Sequence, residues 1–258
     1  MPRLPDLLTT ANLCCGVGSI LLASQGQLTL ACWLVFAGAA FDVLDGLAAR
    51  ALGGGSELGK QLDSLADMVT FGVAPAFIVW MFASSPIGIL GTAILSRFIE
   101  PAPGEQQYLV GLAAMALCIA SCWRLARFNV DTRQTGGFLG LPTPANGLFW
   151  VSLILGVSGV AVVEGPGHAG IMQVLDDLLA NPAALFALAI AMAVLMLSSL
   201  PLASLKFMHY SWRGNEVIYL LLGIGAMLVV LYGMLAVPPI LLLYLLSPLW
   251  GKLFSKTL

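Results

Sequence analysis

Residues 42–67 read DVLDGLAARALGGGSELGKQLDSLAD, and they gather Asp42, Asp45, Asp63 and Asp67 into a chain that is only 9% charged. Residues three or four apart share one face of a helix. Asp42 and Asp45 therefore project together, and so do Asp63 and Asp67. Four converging carboxylates repel one another unless cations lie between them. Hard divalent ions with oxygen ligands, Mg²⁺ or Mn²⁺, answer that need. The competing reading is four separately solvated aspartates at helix ends. The neighbours suit a phosphate ligand. Gly46 removes a side chain one step after an aspartate and lets a ligand approach the backbone. Arg50, two turns on from Asp42, offers a guanidinium fork to phosphate oxygens. Ser56 and the three glycines before it shape a polar loop, and Gly59 precedes Asp63 by one turn. Both Gly46 and Gly59 also have a plain packing reading. Carboxylates, a metal and an arginine beside phosphate describe a phosphoryl-transfer site.

The elements that must position these residues are membrane helices. The chain has 258 residues, 59% of them hydrophobic, with a mean hydropathy of +0.96. A soluble domain is about 45–50% apolar and about 25% charged, whereas a span needs roughly 20 mostly apolar residues. The fold class is an all-α, polytopic transmembrane helical bundle. Turn and charge signals predict about eight spans, at 7–24, 28–51, 59–83, 106–128, 144–163, 183–204, 215–234 and 237–250. Residues 85–105 read as an external loop with an interfacial turn. The whole of 1–258 forms one domain, with a catalytic core over 5–207 and extra C-terminal helices over 215–250. The N-terminal apolar run leads directly into another span and is expected to be a retained first helix rather than a cleaved signal.

Orientation follows from Lys and Arg. With the N-terminus inside, the cytoplasmic side receives Arg3, Arg50, Lys60, Arg124, Arg127, Arg133, Lys206, Arg213, Lys252 and Lys256, and the other side only Arg97. Both termini are expected in the cytoplasm, in an integral protein of the cytoplasmic (inner) membrane, with the four aspartates at that face. A net charge of −2 without a basic tract gives no sign of a nucleic-acid partner. Cys14, Cys15, Cys32, Cys118 and Cys122 fall in apolar runs without metal-ligand spacing, and His168 and His209 fit no triad.

Asp42-xx-Asp45-Gly46-xx-Ala49-Arg50, eight residues, then Gly59-xxx-Asp63-xxx-Asp67 resembles the complete signature of the CDP-alcohol phosphotransferase family. These are integral membrane enzymes in which a hydroxyl displaces CMP from a CDP-linked lipid or alcohol. The resemblance implies a site for two divalent ions built by Asp42, Asp45, Asp63 and Asp67, with Asp67 also taking the proton of the incoming hydroxyl. It implies CDP contacts at Gly46, Ala49, Arg50, Ser56 and Gly59. Pro5-Asp6-Leu7-Leu8-Thr9 stands where family members often have PNxxT, with Asp6 departing from the asparagine. Three further stretches are FGVAPA at 71–76, RLARFNV at 124–130 with GLPTPA at 140–145, and SSLPLASLKF at 198–207. They are similar to the phosphatidylserine synthase branch, which implies CDP-diacylglycerol and L-serine as substrates.

Serine brings a carboxylate and an ammonium besides its hydroxyl. Arg124 and Arg127, with Asn129 and Lys206, are candidate contacts to that carboxylate or to a lipid phosphate. For the arginines and Lys206 the alternative is anchoring to anionic headgroups. Other acceptors (glycerol-3-phosphate, inositol phosphate) and an ether-lipid donor, as in archaetidylserine synthesis, keep the same chemistry. A cation transporter using the aspartates is the rival from another class; it would place them near the bilayer midplane, within inverted repeats. The oligomeric state is open, and a homodimer is compatible with the sequence.

Overall fold

The computed structural model describes residues 3–54, 56–84, 105–130, 138–159, 162, 168–202 and 216–246. Helix α1 (Leu4–Ser24) turns back at Gly26, φ +79°, into α2 (Leu28–Ala51). The Ser19 hydroxyl fastens the pair by donating to Ala31 O at 2.8 Å. The glycine loop then reverses the chain again. Gly53 and Gly54 adopt φ of +89° and +112°, the region that favours residues without a Cβ. Gly54 N–H reaches back to Ala49 O at 2.8 Å. Ser56 starts α3 (Glu57–Asp67), its Oγ accepting the Gly59 N–H at 2.9 Å, an N-cap of the common kind.

Helix α3 continues through a π-helical segment, Met68–Val73, into α4 (Ala74–Ala83). Pro75 explains the widened turn. It has no N–H to give Phe71 O four residues back, and its ring would crowd that carbonyl in a regular helix. The backbone adopts the longer bonding pattern instead, with Ala74 N–H donating to Val69 O, five residues back, as in other π-bulges.

Helix α5 (Glu105–Val130) packs along α4 and the π segment. Helix α6 (Thr143–Val157) is the centre of the bundle: Trp150, Val151, Leu153, Ile154 and Leu155 are all buried. A Cβ on Gly147 would come within 2.9 Å of Phe71 O, so the bare glycine lets α6 approach the π segment. Helices α7 (His168–Ala180) and α8 (Pro182–Leu197) meet at 93°. Helix α9 (Glu216–Tyr232), a 3₁₀ turn (Gly233–Ala236) and α10 (Val237–Leu245) close the described chain. Gly233 has φ +59°, and Ile240 Cδ1 lies 3.6 Å from the Cβ position of Gly225. Helix α10 thus folds back along α9, as two separate legs.

The architecture is the expected helical one. Counting α9 and α10 together as one run, five helical runs among the described residues are long and apolar enough to cross a membrane, or six if the bent α7–α8 pair is counted as one. The chain is an integral membrane protein. Two boundaries and one helix differ from the sequence reading. The expected 183–204 helix stops at Leu197, where Ser198 turns extended at ψ 159° and its Oγ donates to Leu195 O. The expected 144–163 helix stops at Val157, ahead of Gly159 at φ +69°. Helix α7 was not expected at all. The predicted loop at 85–105 lies outside the described residues apart from Glu105, which opens α5.

The described strands are two-residue pieces. Phe138–Leu139 (β1) pairs antiparallel with Pro201–Leu202 (β2). Gly140 N–H donates to Leu200 O at 2.8 Å, and Leu141 N–H to Leu195 O at 3.0 Å. Gly140 has φ +79°, and a Cβ there would lie 2.5 Å from Ser198 O. The GLPTPA and SSLPL stretches are therefore the two halves of one junction.

Candidate active site

The carboxylates meet because the glycine loop sets α2 and α3 antiparallel. Oxygens of Asp42, Asp63 and Asp67 lie within 4.8 Å of one another. Asp45, a turn below Asp42, is 6% exposed and accepts the Thr9 hydroxyl at 2.6 Å. Asp67, 8% exposed, accepts Asn12 Nδ2 at 3.2 Å. Asn12 is held in turn by Thr70, whose hydroxyl donates to Asn12 O at 3.0 Å. Helix α1 thus supplies the polar supports, one turn apart, for one aspartate from each of the other two helices.

Close seams enforce the arrangement. A Cβ on Gly38 would lie 2.6 Å from Thr70 Cγ2 and 2.9 Å from Asn12 Oδ1. On Gly16 it would collide with Thr70 Oγ1 and lie 2.8 Å from Thr70 Cα. The two glycines let three helices close around Asn12 and Thr70.

One observation tests whether the cluster suits a metal. Asp63 Oδ1 is buried and has no hydrogen-bond partner. An unpaired carboxylate oxygen beside two more carboxylates is costly unless a cation satisfies it. The all-oxygen donor set matches a hard divalent ion. The cluster fits such an ion.

Beside the carboxylates opens a cavity of about 360 Å³ between α1, α2 and α3. Asp45 and Asp63 reach it, and Gly46, Ala49, Ser56 and Gly59 line it together with Arg3, Asp6, Glu57 and Lys60. Four of the five expected CDP contacts come together here. Arg50 does not line it: one residue beyond Ala49, it points to the exposed side of α2. Nothing meets a Cβ built on Gly46 within 4 Å, so that glycine leaves room in the cavity rather than in the protein's packing.

The expected acceptor contacts have visible partners elsewhere. Arg124, 6% exposed, donates from Nε to Leu141 O at 3.3 Å, with its guanidinium 5.7 Å from the Phe128 ring centre. Arg127 Nη1 donates to Leu197 O at 2.9 Å, at the C-terminal end of α8. Both arginines thus clasp the Gly140–Ser198 junction. Asn129 pairs its side-chain amide with Ser64 Oγ at 2.8 Å, while Lys60 Nζ reaches Asn129 O at 3.3 Å. Lys206 lies outside the described residues. Asn12 and Thr70 were missed by the sequence reading. Their signal was a polar residue within an apolar span, which calls for a buried partner.

Comparison with known proteins places the chain in a family. The chain belongs to the CDP-alcohol phosphatidyltransferase family, whose model matches residues 3–231. Among individual proteins, it is 35% identical over 153 residues to the CDP-diacylglycerol–serine O-phosphatidyltransferase of Helicobacter pylori (strain J99), a match covering 58% of this chain and 56% of that protein. The Bacillus subtilis protein of the same name is 31% identical over 153 residues, covering 59% of this chain and 76% of the relative. The archaetidylserine synthase of Methanothermobacter thermautotrophicus is 38% identical over 143 residues, covering 55% and 53%. The chain thus spans little more than half the length of the first of these relatives.

Proposed function

We propose that this protein transfers the phosphatidyl group of CDP-diacylglycerol to the hydroxyl of L-serine, giving phosphatidylserine and CMP. The observation that carries the reading is the meeting of Asp42, Asp63 and Asp67 beside a cavity lined by Gly46, Ala49, Ser56 and Gly59. The names of the relatives support serine as acceptor.

The serine oxygen attacks the phosphorus that bears the diacylglycerol. A new P–O bond forms, the bond to the CMP oxygen breaks, and CMP departs with that electron pair. Asp67 receives the hydroxyl proton, with the Asn12 amide fixing the carboxylate's direction. Thr9 fixes Asp45 in the same way. Asp42, Asp45, Asp63 and Asp67 would hold the divalent cations, two Mg²⁺ or Mn²⁺ ions in this reading. When bound, they neutralise the diphosphate and stabilise the leaving phosphate. Gly46 gives the diphosphate access to the backbone of α2. Val43, Leu44 and Leu47, all exposed on α2 beside the carboxylates, offer a surface along which the donor's acyl chains can lie. The excess of Lys and Arg on one side supports a site that faces the cytoplasm.

An ether-linked donor is the second reading, favoured by the archaetidylserine synthase relative; the differing linkage lies away from the reacting diphosphate. The test is CMP release by purified protein in detergent. CDP-diacylglycerol and its ether analogue are each offered with serine, glycerol-3-phosphate and inositol phosphate, with and without EDTA. Serine-dependent release abolished by EDTA is expected. Release with glycerol-3-phosphate alone overturns serine as acceptor.

A further inference from the structure

Helices α7 and α8 meet at a hydrogen-bonded corner. The Asn181 N–H closes α7 on Asp177 O at 3.2 Å. Asn181 Oδ1 then caps α8, accepting the Ala183 and Ala184 N–H groups at 3.0 and 3.3 Å. Pro182 takes the first position of α8, where its fixed φ suits a helix start. The two axes differ by 93°. Helix α8 runs along α5, which is long and apolar enough to cross the membrane, so α7 lies in the plane of the bilayer. It does so at the end away from the carboxylates. The other end of α8 is tied to α5 through Leu197 O and Arg127, and that end of α5 is tied to α3 through Asn129 and Ser64.

The flanks of α7 differ in kind. Leu179 is buried and Leu175 packs on the core, which defines the face turned to the bundle. At about 100° per residue, Ile171 and Val174 lie roughly 60–120° round from that face in one direction. Gln173, Asp176 and Asp177 lie roughly 80–180° round in the other. Ile171 and Val174 are 40% and 66% exposed, and the three polar residues are exposed as well. For a helix lying flat against a bundle, these directions point toward and away from the hydrocarbon. An apolar flank and an acidic flank so placed divide between acyl chains and water.

We propose that α7 is an interfacial anchor, with its Ile171–Val174 flank embedded where headgroups meet acyl chains, in the leaflet opposite the candidate active site. No Lys or Arg lies between His168 and Ala180. The contact is therefore apolar rather than an attraction to anionic headgroups. Its consequence is felt across the bilayer. The 16 residues of α8 cover about 24 Å, short of the roughly 30 Å hydrocarbon core. Anchoring one end of so short a helix fixes the depth of the other. Leu197 sits at that other end, and with it the Gly140–Ser198 junction that Arg124 and Arg127 clasp.

The experiment places spin labels on Ile171→Cys, Val174→Cys, Gln173→Cys and Asp177→Cys, each in the full chain on a cysteine-free background. All four side chains are exposed, so the melting curves should match that of the background. Depth is read in phosphatidylcholine vesicles, with and without phosphatidylglycerol, from collisions with oxygen (concentrated in lipid) and with a water-soluble nickel chelate. Labels at 171 and 174 should meet oxygen and exclude nickel, at about 5–10 Å below the headgroup boundary. Labels at 173 and 177 should show the reverse. Phosphatidylglycerol should deepen none of them. Nickel access at all four positions would put α7 in water, and nickel exclusion at all four would put it inside hydrocarbon or protein. Either result overturns the proposal. Immersion that appears only with phosphatidylglycerol overturns it too, because the attraction would then be to anionic headgroups.

Discussion

Asn12 and Asp67 are 55 residues apart in sequence, yet the Asn12 amide donates to an Asp67 carboxylate oxygen at 3.2 Å inside the bundle. Asn12 is fully buried. Hydrogen bonds to charged groups contribute about 1.5–3 kcal/mol. Asn12→Ala should therefore lower kcat about ten- to a hundredfold while donor KM moves little. Asn12→Asp, adding another carboxylate, should be worse. Steady-state kinetics with separately varied donor and serine check this; a selective rise in donor KM would assign Asn12 to binding instead.

Removing a carboxylate should damage activity and help the fold. Asp42, Asp63 and Asp67 crowd within 4.8 Å, with Asp63 Oδ1 unpaired. In EDTA, Asp63→Asn should unfold at a higher temperature than the wild type, by roughly 2–4 °C per kcal/mol of repulsion relieved. CMP release should be abolished. Adding Mg²⁺ or Mn²⁺ should raise the wild-type midpoint more than the variant's. Equal metal stabilisation of both would remove Asp63 from the ion site.

Two glycines should respond oppositely to alanine. In Gly16→Ala the new methyl meets Thr70 backbone, and overpacking of this kind costs about 1–3 kcal/mol. In Gly46→Ala the methyl meets no atom within 4 Å and enters the cavity. Its unfolding midpoint should match the wild type while donor KM rises. Melting curves and donor titrations separate the two, and a destabilised Gly46→Ala would contradict the open-cavity assignment.

Arg127 divides a structural role from an acceptor role. Its Nη1 ties α5 to the end of α8 through Leu197 O. If the guanidinium also grips the serine carboxylate, Arg127→Ala should raise serine KM about tenfold with donor KM unchanged. A lower melting midpoint with both KM values unchanged would leave only the clasp.

Topology can be read by labelling single cysteines on a cysteine-free background. Leu52→Cys, at an exposed loop position beside the cavity, should react only from the cytoplasmic side. Gly170→Cys, in α7, has open space for the side chain and should react only from the opposite side. Labelling of residue 52 from outside would reverse the charge-based orientation.

The carboxylate cluster was legible because acids at turn spacing on two helices around a glycine loop leave little freedom in where they point. The Gly53–Gly54 reversal was legible for the same reason, since positive φ has a narrow residue preference. Asn12 was not: a lone amide in an apolar span announces that it has a partner but not which one. Helix α7 escaped because its apolar positions follow an interfacial pattern too short for a span. The pairing of Phe138–Leu139 with Pro201–Leu202 leaves no period in the sequence. Such a contact is set by the helices that carry it.

The π segment at Met68–Val73 also bears on how related chains are aligned. It accommodates one residue more than regular coiling would, so everything beyond it, from Ala74 to Ala83, is turned by roughly the angle one residue occupies on a helical wheel. A wheel drawn through 57–83 as one regular helix would turn Val79 away from Asp63 and Asp67, though it is buried here. A relative lacking the proline that opens this turn can therefore keep every aspartate in register, lose a single codon downstream, and still present the same buried face. In this stretch an alignment gap of one is a change of helix type rather than a missing part.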